Sequence, residues 1–128
     1  MIGSVLLIDD DTDVLRAIGN YFEQLGWEVT RELSGEAGLA TYDRLHPDVV
    51  MLDLHLPGMD GLEVLARLGE GGLAMPVVII SGHGTIDTAV QATKLGAFDF
   101  LEKPLDADRV LVTLRNAPAW LDQQRQIE

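Results

Sequence analysis

Short apolar runs that end on polar residues recur along the chain, and this recurrence predicts its strands. The run at 48–53 is the clearest, because Val, Met and Leu follow one another without polar alternation before Asp53. Such runs are typical of strands buried on both faces of a sheet. We predict five of them, at residues 4–9, 27–30, 48–53, 75–81 and 98–102.

The segments between these runs repeat apolar residues at helical spacing, as Leu15, Ile18 and Phe22 do. Capping residues predict where the five helices begin: Asp11, Ser34, Asp60, Thr85 and Asp106. Strands that alternate with helices through short connections predict an α/β fold, with a parallel sheet covered by helices on both faces. The segment 118–128 restarts a helical pattern after a proline. We therefore predict one domain over 1–117 and the start of a linker helix that carries Trp120.

The amino-acid composition limits the partners, the chemistry and the cellular location that we expect for this chain. There are 21 acidic residues against 9 basic ones, a net charge of -12, which argues against direct nucleic-acid binding by this segment. The absence of cysteine excludes disulfides, thiolate metal sites and a cysteine nucleophile. No apolar run approaches membrane-spanning length, and the N-terminus lacks the basic start of a signal peptide. We expect a cytoplasmic protein that does not contact a membrane.

Several strands end on residues that carry chemistry. Three aspartates at 9–11 follow the first strand, Asp53 ends the third, Ser81 ends the fourth, and Lys103 follows the fifth. The carboxyl ends of parallel strands lie along one edge of a sheet, so these side chains converge there. Clustered carboxylates favour a hard cation such as Mg²⁺, and a hydroxyl with an ammonium suits phosphate oxygens. The set predicts phosphoryl transfer to a carboxylate.

Each of these residues also has an ordinary structural interpretation. A single aspartate at a strand end is most often a cap or turn residue, and Asp11 fits that role. A surface position is the default for Lys103, and core packing for Phe100. His55 and His83 flank the site. They could influence dephosphorylation or be ordinary exposed loop residues, and the sequence favours neither interpretation. No single residue decides between the two interpretations. The convergence of all these side chains at one edge of the sheet favours phosphoryl transfer.

The chain resembles the receiver domains of bacterial two-component response regulators. The resemblance covers residues 4 to 116 and is carried by four motifs: Leu7–Asp10, Met51–Gly61, Val78–Gly84 and Phe98–Pro104. It implies a doubly wound (βα)5 fold with the flavodoxin-like strand order 2-1-3-4-5. It further implies a cis peptide bond between Lys103 and Pro104.

The resemblance also implies a role for each matching residue. Asp53 would accept the phosphoryl group. Mg²⁺ would be held by Asp10 directly, by Asp9 mainly through water, by Asp53, and by the backbone carbonyl of His55. Ser81 would move to the phosphoryl group and Lys103 would pair with its oxygens, so that Asp53, Ser81 and Lys103 form the reactive set. Phe100 stands at the position of the aromatic residue that turns inward on activation. Gly82 supplies the small residue that the family needs beside the phosphate.

The implied function is a phosphorylation-activated signalling switch rather than an enzyme. A sensor histidine kinase, or a small acyl phosphate, would supply the phosphoryl group. The surface of the fourth helix, fifth strand and fifth helix would then change, and an output domain or a second copy of the chain would bind it. The sequence motifs around Ser81 and Lys103 most resemble those in the receivers of enhancer-binding (NtrC-type) transcription activators. This resemblance predicts that the chain controls transcription.

Two other functions stay open on the sequence alone. A Mg²⁺-dependent phosphohydrolase would also form an aspartyl-phosphate, but such enzymes of the haloacid dehalogenase type place a second carboxylate where this chain has His55. A flavin-binding module is compatible with the fold. The first strand, however, is followed by carboxylates rather than by a phosphate-binding loop, and a colourless purified protein would exclude it.

Overall fold

The computed structural model describes the backbone of residues 3–127 and the side chains of residues 3–117. Trp120 therefore lies outside the described side chains. The strands are β1 (Ser4–Ile8), β2 (Glu28–Glu32), β3 (Val49–Asp53), β4 (Val77–Ser81) and β5 (Asp99–Glu102). The helices are α1 (Thr12–Gln24), α2 (Gly35–Leu45), α3 (Gly61–Leu68), α4 (Ile86–Lys94) and α5 (Ala107–Ile127).

The five strands form one parallel sheet in the order β2-β1-β3-β4-β5. This confirms the predicted fold class and strand order. The three central strands are the three apolar ones, and every residue of β3 and β4 is buried. Strands of this kind need cover on both faces, which the helices provide.

Alternation along the strands divides the core into two layers. Leu6, Leu52 and Ile79 point toward α2, α3 and α4, and pack there with Val64 and Leu65. The neighbouring strand residues point the opposite way, toward α1 and α5. That second layer contains Val5, Leu7, Met51, Val78, Ile80, Leu101, Leu15, Phe22, Val110 and Leu114. A side chain at a strand end therefore belongs to one layer or the other according to its position in this alternation.

The helices begin where the capping residues predict. The side chains of Asp11, Ser34, Asp60 and Thr85 each accept a backbone N–H from the first turn of α1, α2, α3 and α4 respectively. For α5, the Asp106 carbonyl accepts the Val110 N–H at 3.0 Å, consistent with the predicted start there.

Two boundaries differ from the prediction. The second strand runs over Glu28–Glu32 rather than 27–30, because Leu7 and Ile8 of β1 pair with Arg31 and Glu32. Polar side chains at the edge of a sheet give no apolar signal for that extension. Helix α5 continues through Pro118 to Ile127 instead of restarting after the proline. Among the described residues, no helix combines the length and apolar character needed to cross a membrane.

Candidate phosphoryl-accepting site

The acidic edge of the sheet is built by the alternation of β1, β3 and β5. Asp53 lies two residues after Met51, Lys103 two after Leu101, and Asp9 two after Leu7. Met51, Leu101 and Leu7 all belong to the core layer under α1 and α5. The three charged side chains therefore emerge on the same face of the sheet, at the carboxyl ends of β1, β3 and β5.

Lys103 contacts both buried carboxylates. Its Nζ lies 2.8 Å from Asp9 Oδ2 and 3.3 Å from Asp53 Oδ2, and it donates a hydrogen bond to the latter. Asp9 is completely buried and Asp53 is 3% exposed. The Lys103 side chain is 21% exposed. Among the described residues, Lys103 is thus the one cation that contacts the buried carboxylates of Asp9 and Asp53.

The pKa shifts of this group follow from burial and charge. Burial raises the pKa of Asp9, against the lowering effect of the Lys103 contact and of the Asp11 amide, and the Asp53 charge raises it further. Burial opposes the charge on Lys103, but its hydrogen bonds and the charges of Asp9 and Asp53 outweigh burial and raise its pKa. The raised pKa of Lys103 reflects two buried carboxylates beside one ammonium, which leaves the site with more negative charge than Lys103 neutralises.

A divalent cation fits this excess of carboxylate. Ligand oxygens of Asp9, Asp10 and Asp53 lie within 4.8 Å of one another. Asp9 Oδ2 is buried and accepts no hydrogen bond of good geometry, even though Lys103 Nζ is close. Asp10 is exposed, so the cluster opens to water on that side. An all-oxygen set that leaves room for waters is the environment Mg²⁺ prefers.

Ser81 and Phe100 lie on the other side of this edge. Ser81 is completely buried, and its Oγ accepts the backbone N–H of His83 at 3.2 Å. In the register, Ile80 is the partner of Asp53, so Ser81 stands one residue beyond it. Phe100 pairs with Ile79 and is half-buried against the layer under α3 and α4. Both predicted switch residues therefore face the α4 side of the sheet.

The loop that follows Asp53 is fixed by contacts that the sequence patterns do not reveal. His55 donates its backbone N–H to Asp53 Oδ1 at 3.1 Å. The Gly61 N–H donates to the Leu54 carbonyl at 3.0 Å. A Cβ on Gly61 would lie 2.3 Å from the Asp53 carbonyl oxygen, so only glycine fits there. Glu36 of α2 reaches across and accepts the Met59 N–H at 3.1 Å.

The structure brings most of the predicted site residues together. Asp9, Asp10, Asp53 and Lys103 form one cluster, and the Lys103–Pro104 peptide bond is cis, as predicted. His55 and His83 are exposed, with ring centroids 6.2 Å apart. Asp11 caps α1 as expected, through its side chain and the Asp13 N–H at 2.9 Å. The contributions of Glu36 and Gly61 were not predicted, since Glu36 lies outside the four motifs and Gly61, although it ends one of them, was given no role.

Comparison with known proteins agrees with this geometry. The family described as "Response regulator receiver domain" matches residues 5–115. The nitrogen assimilation regulatory protein NtrX of Azorhizobium caulinodans is 36% identical over 129 residues, which cover 99% of this chain and 28% of that protein. The C4-dicarboxylate transport transcriptional regulatory protein DctD of Pseudomonas aeruginosa is 41% identical, over 88% of this chain and 24% of that protein.

Solved structures show the same relationship. NtrX from Brucella abortus superposes with a TM-score of 0.89 at 34% identity, over 99% of this chain and 29% of that one. The receiver domain of the same protein gives a TM-score of 0.83 at 36% identity, over 92% of this chain and 98% of that one. The chain thus spans about a quarter of the length of its full-length relatives and nearly all of an isolated receiver domain.

Proposed function

Because this chain belongs to the response regulator receiver family, we propose that it is a phosphorylation switch in which Asp53 accepts a phosphoryl group. One observation carries the assignment. Asp53 is buried at the end of a central strand, with Lys103 Nζ 3.3 Å from its Oδ2 and with Asp9 and Asp10 oxygens close by. A carboxylate placed in this way is a nucleophile beside charges that complement a phosphoryl group.

The proposed reaction transfers a phosphoryl group from a histidine kinase, or from an acyl phosphate, to Asp53. The bond from phosphorus to the donor nitrogen or oxygen breaks, and a bond from phosphorus to an Asp53 carboxylate oxygen forms. Mg²⁺ held by Asp9, Asp10, Asp53 and the His55 carbonyl would neutralise charge on the transferring oxygens. Lys103 would exchange its contact with Asp53 for one with the new phosphoryl oxygens.

The response would pass from Ser81 to the surface of α4, β5 and α5. Ser81 would leave its bond to the His83 amide and donate its hydroxyl to the phosphoryl group, and Phe100 would follow inward. Only Ala92 of α4 is buried, so the described contacts of this helix are few enough to rearrange at low cost. Ile86, Val90, Leu95 and Val112 leave apolar surface exposed on α4, its C-cap and α5. We infer that an output domain or a second copy of the chain binds there.

The assignment to a transcription activator rests on the full-length relatives. NtrX and DctD are described as regulatory proteins, the latter as transcriptional, and this chain corresponds to about a quarter of each. We propose that the phosphorylated surface controls an output domain of that kind. The cytoplasmic location stays a prediction from the sequence.

Intact-mass measurement after incubation with acetyl phosphate tests the proposal. We expect the mass of one phosphoryl group to be gained with Mg²⁺ and not with EDTA. Asp53→Asn should gain none, while Asp43→Asn, which changes an exposed carboxylate on α2, should gain the wild-type amount. Labelling that persists in Asp53→Asn would overturn the assignment. Sustained turnover of a small phosphate ester would indicate the phosphohydrolase instead.

A further inference from the structure

Gly84, in the loop between β4 and α4, lies against the ring of Phe100. A Cβ built on Gly84 would be 2.5 Å from Phe100 Cζ and 2.8 Å from Cε1, and 3.3 Å from Ser81 Oγ. Carbon atoms that are not bonded pack at 3.5 to 4.0 Å. The aromatic ring can therefore hold this position only if residue 84 has no side chain.

A second glycine in the same loop has no such constraint. A Cβ on Gly82 would find its nearest neighbour, Lys103 Cδ, at 3.9 Å, which is ordinary van der Waals contact. Neither loop glycine requires a positive φ angle. The two positions thus differ in what a methyl group would touch, and a positive φ angle strains neither of them.

Hydrogen bonds hold the backbone on both sides of Gly84. On one side, the His83 amide is bound to Ser81 Oγ at 3.2 Å. On the other side, Thr85 and Thr88 form a reciprocal cap at the start of α4, with the Thr85 N–H donating to Thr88 Oγ1 at 2.8 Å. Relief of a clash at residue 84 must therefore displace the Phe100 ring, the Ser81 end of the loop, or the start of α4.

We propose that Gly84 is a positioning residue that couples Ser81 to Phe100. The bare backbone of residue 84 forms the surface on which the ring rests beside the Ser81 hydroxyl, so a movement of Ser81 changes the space open to the ring. This inference rests on the proposed function, because it is the phosphoryl group on Asp53 that would move Ser81. A side chain at residue 84 would displace the ring whether or not Asp53 is phosphorylated.

Nuclear magnetic resonance of 13C-phenylalanine-labelled protein tests the proposal. The chain has 3 phenylalanines, so the Phe100 signals can be assigned with the Phe100→Leu variant. In wild type and in Gly69→Ala, which adds a methyl group at the end of α3 with its nearest neighbour at 3.5 Å, we expect these signals to shift when acetyl phosphate and Mg²⁺ are added. In Gly84→Ala we expect them to be displaced before phosphorylation and to change little on it, while Asp53 is labelled to the wild-type extent.

Other outcomes separate this inference from the proposed function. If Gly84→Ala shows the same Phe100 signals and the same response as Gly69→Ala, the inference is wrong and the switch assignment stands. If wild type accepts no phosphoryl group, the proposed function fails. The displacement of Phe100 in the unphosphorylated Gly84→Ala protein then still reports on the contact.

A double-mutant cycle covers the case in which Gly84→Ala unfolds. The loss of stability caused by Gly84→Ala should largely disappear in a Phe100→Ala background, since the ring that collides with the new methyl group is gone. Equal losses in both backgrounds would show that residue 84 is constrained by something other than Phe100.

Discussion

Lys103 lies closer to Asp9 than to Asp53, with Nζ–Oδ2 distances of 2.8 and 3.3 Å. The lysine therefore holds two carboxylates that would otherwise repel each other across the ends of β1 and β3. The contact with Asp9 is an ion pair, whereas the contact with Asp53 is also a hydrogen bond. The arrangement offsets part of the negative charge of the site before phosphorylation and places the lysine beside the carboxylate that would carry the phosphoryl group.

Lys103→Met should destabilise the domain in the absence of Mg²⁺. Removal of one partner leaves the two carboxylates buried without a counter-charge, which we expect to cost about 3–5 kcal/mol at neutral pH. Urea unfolding in EDTA measures the change. Lys94→Met is the matched control, since Lys94 is exposed on α4 and should alter stability by less than about 0.5 kcal/mol. Equal effects of the two substitutions would contradict the bridging role.

The same ion cluster predicts how stability depends on pH. The pKa of Asp9 is raised by burial, so its charged form is disfavoured in the fold, and this residue removes stability as pH rises through its unfolded and folded pKa values. Lys103 has a raised pKa, so it contributes stability below its ordinary pKa that is lost as pH rises through the folded one. Asp9→Asn should therefore remove this loss, so that stability rises more with pH above the ordinary pKa of aspartate than it does in wild type, as measured by urea unfolding at several pH values without metal.

Mg²⁺ should raise the stability of the wild-type domain. A ligand that binds only the folded state at ten times its Kd contributes about 1.4 kcal/mol. Asp10→Asn should abolish most of this gain with little effect in EDTA, because Asp10 is exposed and belongs to the ligand cluster. Thermal unfolding with and without Mg²⁺ measures both quantities. An undiminished Mg²⁺ effect in Asp10→Asn would place the cation elsewhere.

Gly61→Ala should disturb the support beneath Asp53. The new Cβ would meet main-chain atoms, with the Asp53 carbonyl oxygen at 2.3 Å and Leu54 Cα at 2.6 Å. These atoms cannot rotate away, and we expect a loss of about 1–3 kcal/mol together with slower labelling by acetyl phosphate. Gly69→Ala is the control, since its nearest neighbour would be at 3.5 Å and its φ of -84° suits alanine. That substitution should be neutral or stabilising.

Glu36 should stabilise the loop after Asp53 in a pH-dependent way. Backbone hydrogen bonds, from its own amide and from that of Met59, lower its pKa. A lowered folded pKa contributes stability above the ordinary pKa of glutamate that is lost as pH falls through the folded value. The loss of stability caused by Glu36→Gln should therefore be larger at pH 7 than at pH 4, as measured by urea unfolding at both values. A loss independent of pH would assign the effect to shape rather than charge.

The fold was predictable because its signals are local and repeated. Apolar runs such as 48–53 require burial on both faces, and caps such as Ser34 and Thr85 mark where helices begin. The second strand was misplaced by two residues at its end, because Arg31 and Glu32 join the sheet through pairing with β1, and edge pairing leaves no apolar pattern.

The site was predictable in its members but not in its contacts. Parallel strands bring Asp9, Asp53 and Lys103 to one edge whatever their rotamers. Which carboxylate Lys103 approaches more closely depends on side-chain packing that no spacing encodes. The same holds for the reach of Glu36 to Met59 and for the contact of Phe100 with Gly84, since each joins residues far apart in the sequence.

The most direct test of the account is to locate the phosphoryl group. Protein incubated with acetyl phosphate and Mg²⁺ can be treated with borohydride, which reduces an aspartyl-phosphate to homoserine, and the position can be read by peptide mass spectrometry. We predict homoserine at position 53 alone, with aspartate retained at positions 9 and 10. Homoserine at another position, or none in protein that has gained phosphoryl mass, would contradict the assignment of Asp53.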